Sequence, residues 1–286
     1  MAKLGFVGVG FMGHGMASNL LKKGHEVTII ANRNRVPVDD LVSKGAIEAK
    51  SLEELARGKD GVFICVATTE QIRSVIDGLL PGLSKGAIVI ETGTSDPNET
   101  LKLADTLKAK GVGFVDAPMG GGAQQAEAGQ LATMAGGSAA DYEKVHPWIA
   151  AYSKTAVRLG EVGAGHRAKL LNNLLALGQA ALVIEAYRIA RDEGLDWAKL
   201  YEVNMGGAAR SGSLERIIPP AISGDFKGYV FAIENSIKDL TYFQALATKD
   251  GRPQIMGEAL IRYYQDAIRT HGGQTLLSEL LETKAR

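Results

Sequence analysis

Six residues near the start of the chain, Gly8-Val9-Gly10-Phe11-Met12-Gly13, constrain its fold more than any other stretch. They end the apolar run Leu4–Val9 and open Phe11–Lys23, where Met12, Met16 and Leu20 recur at helical spacing until Gly24. A strand that feeds a glycine turn opening a helix is the context in which G-x-G-x-x-G specifies dinucleotide binding. Gly8 permits the tight turn, Gly10 lets backbone approach a pyrophosphate, and Gly13 lets helix and strand pack closely. The helix start, with Phe11 and Met12 beside it, offers free N–H groups and a positive dipole end to phosphate. A glycine-rich turn with no ligand is the alternative.

The same alternation continues. Val27–Ala31, Gly61–Ala67, Ala87–Glu91, Gly113–Asp116 and Leu131–Gly136 read as strands. Leu41–Lys44, Glu53–Arg57, Glu70–Leu79 and Pro97–Lys110 read as helices between them. Strands separated by helices imply parallel pairing through right-handed crossovers, hence an α/β Rossmann domain with a doubly wound, mostly parallel sheet. After Gly160 the pattern is helical throughout: Gly165–Asp192, Trp197–Asn204, Ile233–Lys249, Pro253–Thr270 and Thr275–Glu282, with Met205–Ser213 as a loop. The expectation is a dinucleotide-binding domain over 1–162 and an all-α domain over 163–286 that begins with a long interdomain helix, about 165–192.

Lys plus Arg and Asp plus Glu both total 32, so the formal net charge is zero. That removes the electrostatic case for nucleic acid or an anionic membrane. The single cysteine, Cys65, lies inside an apolar run and reads as a buried, inert thiol suited to a reducing compartment. No signal-peptide architecture precedes Leu4, and Leu170–Ile184, broken by Asn172, Asn173 and Gln179, falls short of a membrane span. A cytoplasmic protein is expected. The five histidines show no i, i+3 or i, i+4 pair, so no metal site is expected. His14 and His166 lie near glycine turns, where contact with phosphate or substrate competes with ordinary satisfied histidines.

After the second strand the chain reads Ala31-Asn32-Arg33-Asn34-Arg35. An NAD enzyme usually offers a carboxylate to the ribose hydroxyls there. Asn32 removes the charge that would repel a 2′-phosphate, and Arg33 and Arg35 can grip one, which points to NADP(H). Two solvated loop arginines are the alternative.

Four blocks in order then carry a resemblance: Lys3–Gly13; Asp116-Ala117-Pro118-Met119-Gly120-Gly121-Gly122 with Gly129 and Gly136; Gly160-x-x-Gly163-x-Gly165-x-x-x-Lys169-x-x-x-Asn173; and Lys238-Asp239-Leu240. Over nearly its whole length the chain resembles the β-hydroxyacid dehydrogenase family (3-hydroxyisobutyrate dehydrogenase-like, in the 6-phosphogluconate dehydrogenase superfamily). The resemblance implies an active site in an interdomain cleft, Lys169 as catalytic lysine and Asn173 as the residue that positions substrate. It implies Thr94 beside the nicotinamide and Lys238 as a cleft lysine for substrate and cofactor, against a helix-surface alternative. Phe231 closes the pocket or belongs to the core. Residues i and i+4 share a helix face, so Lys169 and Asn173 can meet one small molecule.

The chain departs from the family at Gly120, where many members carry a serine for the substrate carboxylate. Backbone N–H groups of Gly120, Gly121 and Gly122 can still cradle an anion as a nest. The expected activity is interconversion of a small 3-hydroxy acid and its semialdehyde, with 3-hydroxyisobutyrate itself in doubt. An imine reductase on the same scaffold and a non-catalytic NADPH-binding protein are the rivals; imine reductases typically lack the lysine. A homodimer or homotetramer acting on a small anionic or carbonyl substrate is expected.

Overall fold

Apolar runs that end in glycine or an acid build one sheet in the first half of the chain. The computed structural model describes residues 1–248, 251 and 254–282. Its two compact units are Met1–Lys169 and Leu170–Arg286. In the first, β1 (Lys3–Val7), α1 (Gly13–Lys22), β2 (Glu26–Ile30), α2 (Val36–Ser43), β3 (Ile47–Ala49) and α3 (Leu52–Ala56) form the leading half. Next come β4 (Gly61–Ile64), α4 (Thr69–Leu79), β5 (Ile88–Glu91), α5 (Pro97–Lys108) and β6 (Gly113–Asp116). A tail of β7 (Met119–Gly120), α6 (Ala123–Glu127), β8 (Leu131–Gly136), α7 (Ala139–Ile149) and β9 (Ser153–Gly160) completes it.

The strand order is β3-β2-β1-β4-β5-β6-β8-β7, with β9 beside β8. The pairs from β3 through β6 are all parallel. β8 runs antiparallel to β6 and β7 and parallel to β9. Successive side chains of a strand point to opposite faces. Along β4, Phe63 joins Phe6, Ile29 and Tyr152 in one core, while Val62 and Ile64 join Val89, Leu55 and Phe114 in the other. A sheet buried on both faces explains why its strands read as continuous apolar runs. The Phe6 and Phe63 rings stack at 5.6 Å, and Phe63 meets Tyr152 edge-on at 6.0 Å. Each such contact adds ~0.5–1.5 kcal/mol beyond the area buried.

Six elements have no counterpart in the sequence expectations: β3, β7, α6, α7, β9 and α10 (Gly212–Ile222). β3 and β7 are too short to show a period. α7 contains Pro147, and α10 contains Pro219 and Pro220, which read as helix stops.

α8 (Ala164–Asp192) begins in the first unit and continues into the second, where α9 (Trp197–Met205), α10, α11 (Ile233–Ala247) and α12 (Ile255–His271) follow. A 3-10 turn at Leu277–Leu281 stands where an α-helix was expected over Thr275–Glu282. The helix ends expected at Lys249 and Pro253 lie outside the described residues. The core of this unit gathers Leu177, Ile184, Tyr187, Ile217, Leu240 and Leu281, and Phe231 packs against it. The buried Tyr264 hydroxyl donates to the Leu177 carbonyl at 2.8 Å. By length and composition α8 is long and apolar enough to cross a membrane, contrary to the expected shortfall. Its Leu177, Ala180, Ala181 and Ile184 are instead buried in this core.

Candidate active site

β1 and β4 are neighbours although five elements of chain separate them, which makes their carboxyl ends a topological switch point. The first glycine motif sits there. Gly8 has φ +93°, and a Cβ on it would lie 2.1 Å from the Cys65 carbonyl oxygen. A Cβ on Gly13 would come within 2.0 Å of the Gly8 carbonyl oxygen. Gly10 is different: a Cβ there meets no atom within 4 Å. Two glycines are required by the protein's own packing, and the third faces open space at an α1 start that no side chain caps. That is the cradle a pyrophosphate fits. Cys65 lies beneath it, its thiol pushed up to about 11 chiefly by burial.

Asn32, Arg33 and Arg35 follow β2 and are exposed. Arg35 gives its guanidinium to Glu48 and Asp39, each at 2.6 Å. Those pairs raise its pKa further above the ordinary arginine value. Beside them a cleft of about 410 Å³ is lined by Ile30, Ala31, Glu48, Ala49 and Lys50. Thr94 lies in the loop after β5.

At the other glycine cluster, Gly120 belongs to β7 and pairs with Ala132. A Cβ on it would meet nothing nearer than 3.8 Å, so a serine would fit. Gly122 donates its N–H to Gln125 Oε1 at 2.9 Å, which occupies one of the three amides expected to form the nest. Lys169 reaches this segment: its Nζ donates to the Met119 carbonyl oxygen at 2.6 Å.

The root of α8 explains the spacing of the third block. Gly163 has φ +85° and donates its N–H to Asp116 Oδ1 at 2.7 Å. The His166 N–H donates to Asp116 Oδ2 at 2.8 Å. A Cβ on Gly165 would fall 2.5 Å from the Met134 oxygen and 2.6 Å from the Asp116 backbone oxygen. Burial pushes the Asp116 carboxyl up, opposed by the His166 charge and these two N–H donors. His166 is fully buried, with Nε2 2.5 Å from Glu91 Oε2 and Nδ1 2.7 Å from Thr100 Oγ1. His14 sits nearer the surface, bridging Asp40 at 2.6 Å and Glu127 at 2.5 Å. Among the described residues neither histidine stands alone.

The second unit brings Asn173 and Lys238 onto one partner. Asn173 Nδ2 donates to Asp239 Oδ2 at 2.6 Å, and Lys238 Nζ lies 3.4 Å from Asp239 Oδ1. Asp239 is buried, so its carboxylate fixes which face of the Asn173 amide points away.

Sequence reasoning passed over the roles of Glu91, Asp116, Thr100, Gln125 and Asp239; of its two readings of His166, the structure gives the ordinary buried and partnered histidine. One signal was available. Glu91 and Asp116 each terminate an apolar run, and they are register partners on adjacent parallel strands. Acids closing two buried strands need partners.

Comparison with known proteins identifies the family. The family model "NAD binding domain of 6-phosphogluconate dehydrogenase" matches residues 3–160. The model "NAD-binding of NADP-dependent 3-hydroxyisobutyrate dehydrogenase" matches 163–283. The 3-sulfolactaldehyde reductase of Escherichia coli (strain K12) is 32% identical over 99% of this chain and 95% of its own. A solved 3-hydroxyisobutyrate dehydrogenase from Salmonella typhimurium is 27% identical, covers 99% of both chains and has a TM-score of 0.89. An imine reductase from Pseudomonas sp., 17% identical over 98% of both chains with a TM-score of 0.65, shares the fold alone. The chain therefore belongs to the β-hydroxyacid dehydrogenase family, with an NAD(P)-binding Rossmann domain followed by a helical domain.

Proposed function

We propose that this protein reduces a small aldehyde bearing an anionic group to its hydroxy acid, and the reverse, using NADP(H). The observation that carries the reading is the 2.6 Å contact from Lys169 Nζ to the Met119 carbonyl, which brings a cation against the Gly120–Gly122 segment. When bound, the reduced nicotinamide supplies a hydride, and Thr94 stands on the loop assigned to that ring. The Lys169 ammonium gives its proton to the carbonyl oxygen as it becomes an alcohol and takes it back in the oxidation. Asn173, one turn further along the same helix, orients the substrate hydroxyl.

The Gly121 N–H and the Lys169 ammonium hold the substrate's anionic group, because Gly120 is tied to Ala132 in the β7–β8 pairing and Gly122 to Gln125. Without a serine hydroxyl at position 120 they suit a larger or more diffuse anion, such as the sulfonate of 3-sulfolactaldehyde, better than 3-hydroxyisobutyrate. Arg33, with Asn32 in place of an acid, favours the 2′-phosphate of NADP. Self-association belongs to the same reading. Leu175, Leu182 and Ile189 on α8 are 66, 64 and 56% exposed and recur every seventh position, the spacing of a seam against a second copy. The presence of Lys169 weighs against the imine reductase reading.

The test is fluorescence titration with NADPH and NADH, then a panel of 3-sulfolactaldehyde, 3-hydroxyisobutyrate, small semialdehydes and cyclic imines. Turnover of an anionic aldehyde with NADPH is expected. Lys169→Ala should lower kcat by ~10²–10⁴-fold, the usual contribution of a general acid, with NADPH affinity unchanged. A Lys169→Ala protein with near-full turnover would sink the mechanism, and turnover confined to imines would replace the function.

A further inference from the structure

Two segments of the first unit carry the chemistry proposed above: the loop after β5, with Thr94, and the second turn of α8, with Lys169. One buried side-chain pair joins them. Glu91 closes β5, and its carboxylate is divided. Oε1 accepts the Gly93 N–H at 2.6 Å, and Oε2 faces His166 Nε2 at 2.5 Å. Glu91 is 1% exposed and His166 is fully buried. His166 is held from two further directions, by Thr100 on α5 and by Asp116 at the end of β6.

The surrounding charges favour one protonation state. Thr100 Oγ1 lies 2.7 Å from His166 Nδ1 and 3.1 Å from the Asp96 carbonyl oxygen. Nε2 faces a Glu91 carboxylate oxygen at 2.5 Å. Two buried carboxylates close to one ring favour its charged form, the imidazolium. The charged groups facing it are Glu91 from β5 and Asp116 from β6, whose Oδ2 lies 3.8 Å from Nδ1. Burial lowers the His166 pKa, and the Glu91 carboxylate, helped by Asp116, outweighs it and leaves the pKa raised.

A buried ion pair is a poor device for stability alone, because apolar residues of similar volume commonly serve as well. It is a good device for orientation, since its geometry is directional. Lys169 follows His166 by three residues, ~4.5 Å along the helix and some 60° around it. Fixing His166 against Glu91 therefore fixes where the Lys169 stem leaves α8.

We propose that Glu91 and His166 are a positioning pair that sets the loop after β5 against the first turn of α8, and so holds Lys169 at a constant reach from the nicotinamide-side loop. The inference rests on the reading of Lys169 as the proton donor.

Glu91→Gln, His166→Gln and the double variant test it, the double variant removing both charges together so that neither is left unpaired. In the wild type, nitrogen NMR of labelled histidine should show His166 as an imidazolium at pH 7, and Glu91→Gln should make it neutral. The double variant should fold and bind NADPH within about twofold of the wild type. Its kcat should fall at least about tenfold at little-changed KM, since an ångström of misplacement costs up to ~10²-fold. A neutral wild-type ring, or a folded double variant with wild-type kcat, overturns the proposal. If the wild type turns over nothing in the panel, the reading of Lys169 fails on its own. The pair is then judged by amide exchange at Gly93 and the His166 N–H. Faster exchange at both sites in the double variant supports the coupling, and unchanged protection overturns it.

Discussion

α1 and α8 begin alike and end up doing different things. Each is preceded by a glycine run, Gly8-x-Gly10-x-x-Gly13 in one case and Gly160-x-x-Gly163-x-Gly165 in the other. Each presses a glycine so closely onto backbone that a Cβ would overlap a carbonyl oxygen. At α1 the start of the helix is left open, with no side-chain cap and nothing around Gly10. At α8 the start is filled by the buried Asp116 carboxylate, which takes the N–H groups of Gly163 and His166. A helix start needs acceptors for its free N–H groups, and it can receive them from a ligand or from the protein. The open one suits a cofactor phosphate, and the filled one is a root that aims the Lys169 helix.

The largest effects come from adding a methyl group to each start. Gly165→Ala forces a Cβ into two backbone oxygens that cannot swing aside. It should destabilise by at least ~3 kcal/mol, the upper range for overpacking, read as a lower denaturation midpoint. Gly10→Ala should leave that midpoint unchanged and weaken NADPH at least about tenfold, or ~1.4 kcal/mol. If Gly10→Ala proves the more destabilising of the two, the distinction between open and filled starts is wrong.

How much of this the sequence displayed follows the same division. The α1 start was legible because backbone geometry demands glycine at fixed short spacing, and a pattern of six residues records it. The parallel sheet was legible because strands buried on both faces stay apolar from end to end. At the α8 root, Gly163, Gly165 and Lys169 were visible as a motif, but their partners were not. Asp116, Thr100 and Met119 lie 47 to 66 positions away from the groups they hold, and no local spacing encodes that. The competition between partners was equally hidden. Arg33 and Arg35 look interchangeable in the chain, yet Glu48, from the next strand, and Asp39 claim Arg35.

That competition gives the intermediate effect. Arg33→Ala should weaken NADPH about tenfold or more while leaving NADH binding unchanged, as expected for one charge-assisted hydrogen bond of ~1.5–3 kcal/mol. Arg35→Ala should change either affinity by no more than about threefold, since exposed ion pairs contribute little. Equal losses for the two variants would mean that Arg35 leaves Glu48 when cofactor binds, and the open site would then be larger than the free protein shows.

The smallest effect probes the filled start through pH. His166 has a folded pKa raised above its ordinary 6.5, so the folded state holds a proton that the unfolded chain has released. Its stabilisation is complete below about pH 6.5 and is lost as pH rises through the folded value. Asp116, raised by burial, acts in the same sense from a lower starting point, 3.8. The wild-type Tm should therefore decline by a few degrees above pH 6.5, and the curve of His166→Gln should be flatter across the same window. The α1 start offers the control. Gly10→Ala adds no titrating group there, so its Tm should track the wild type at every pH. If His166→Gln declines as steeply as the wild type, the imidazolium is not what the Asp116–Glu91 root is built around, and the difference between the two helix starts reduces to packing.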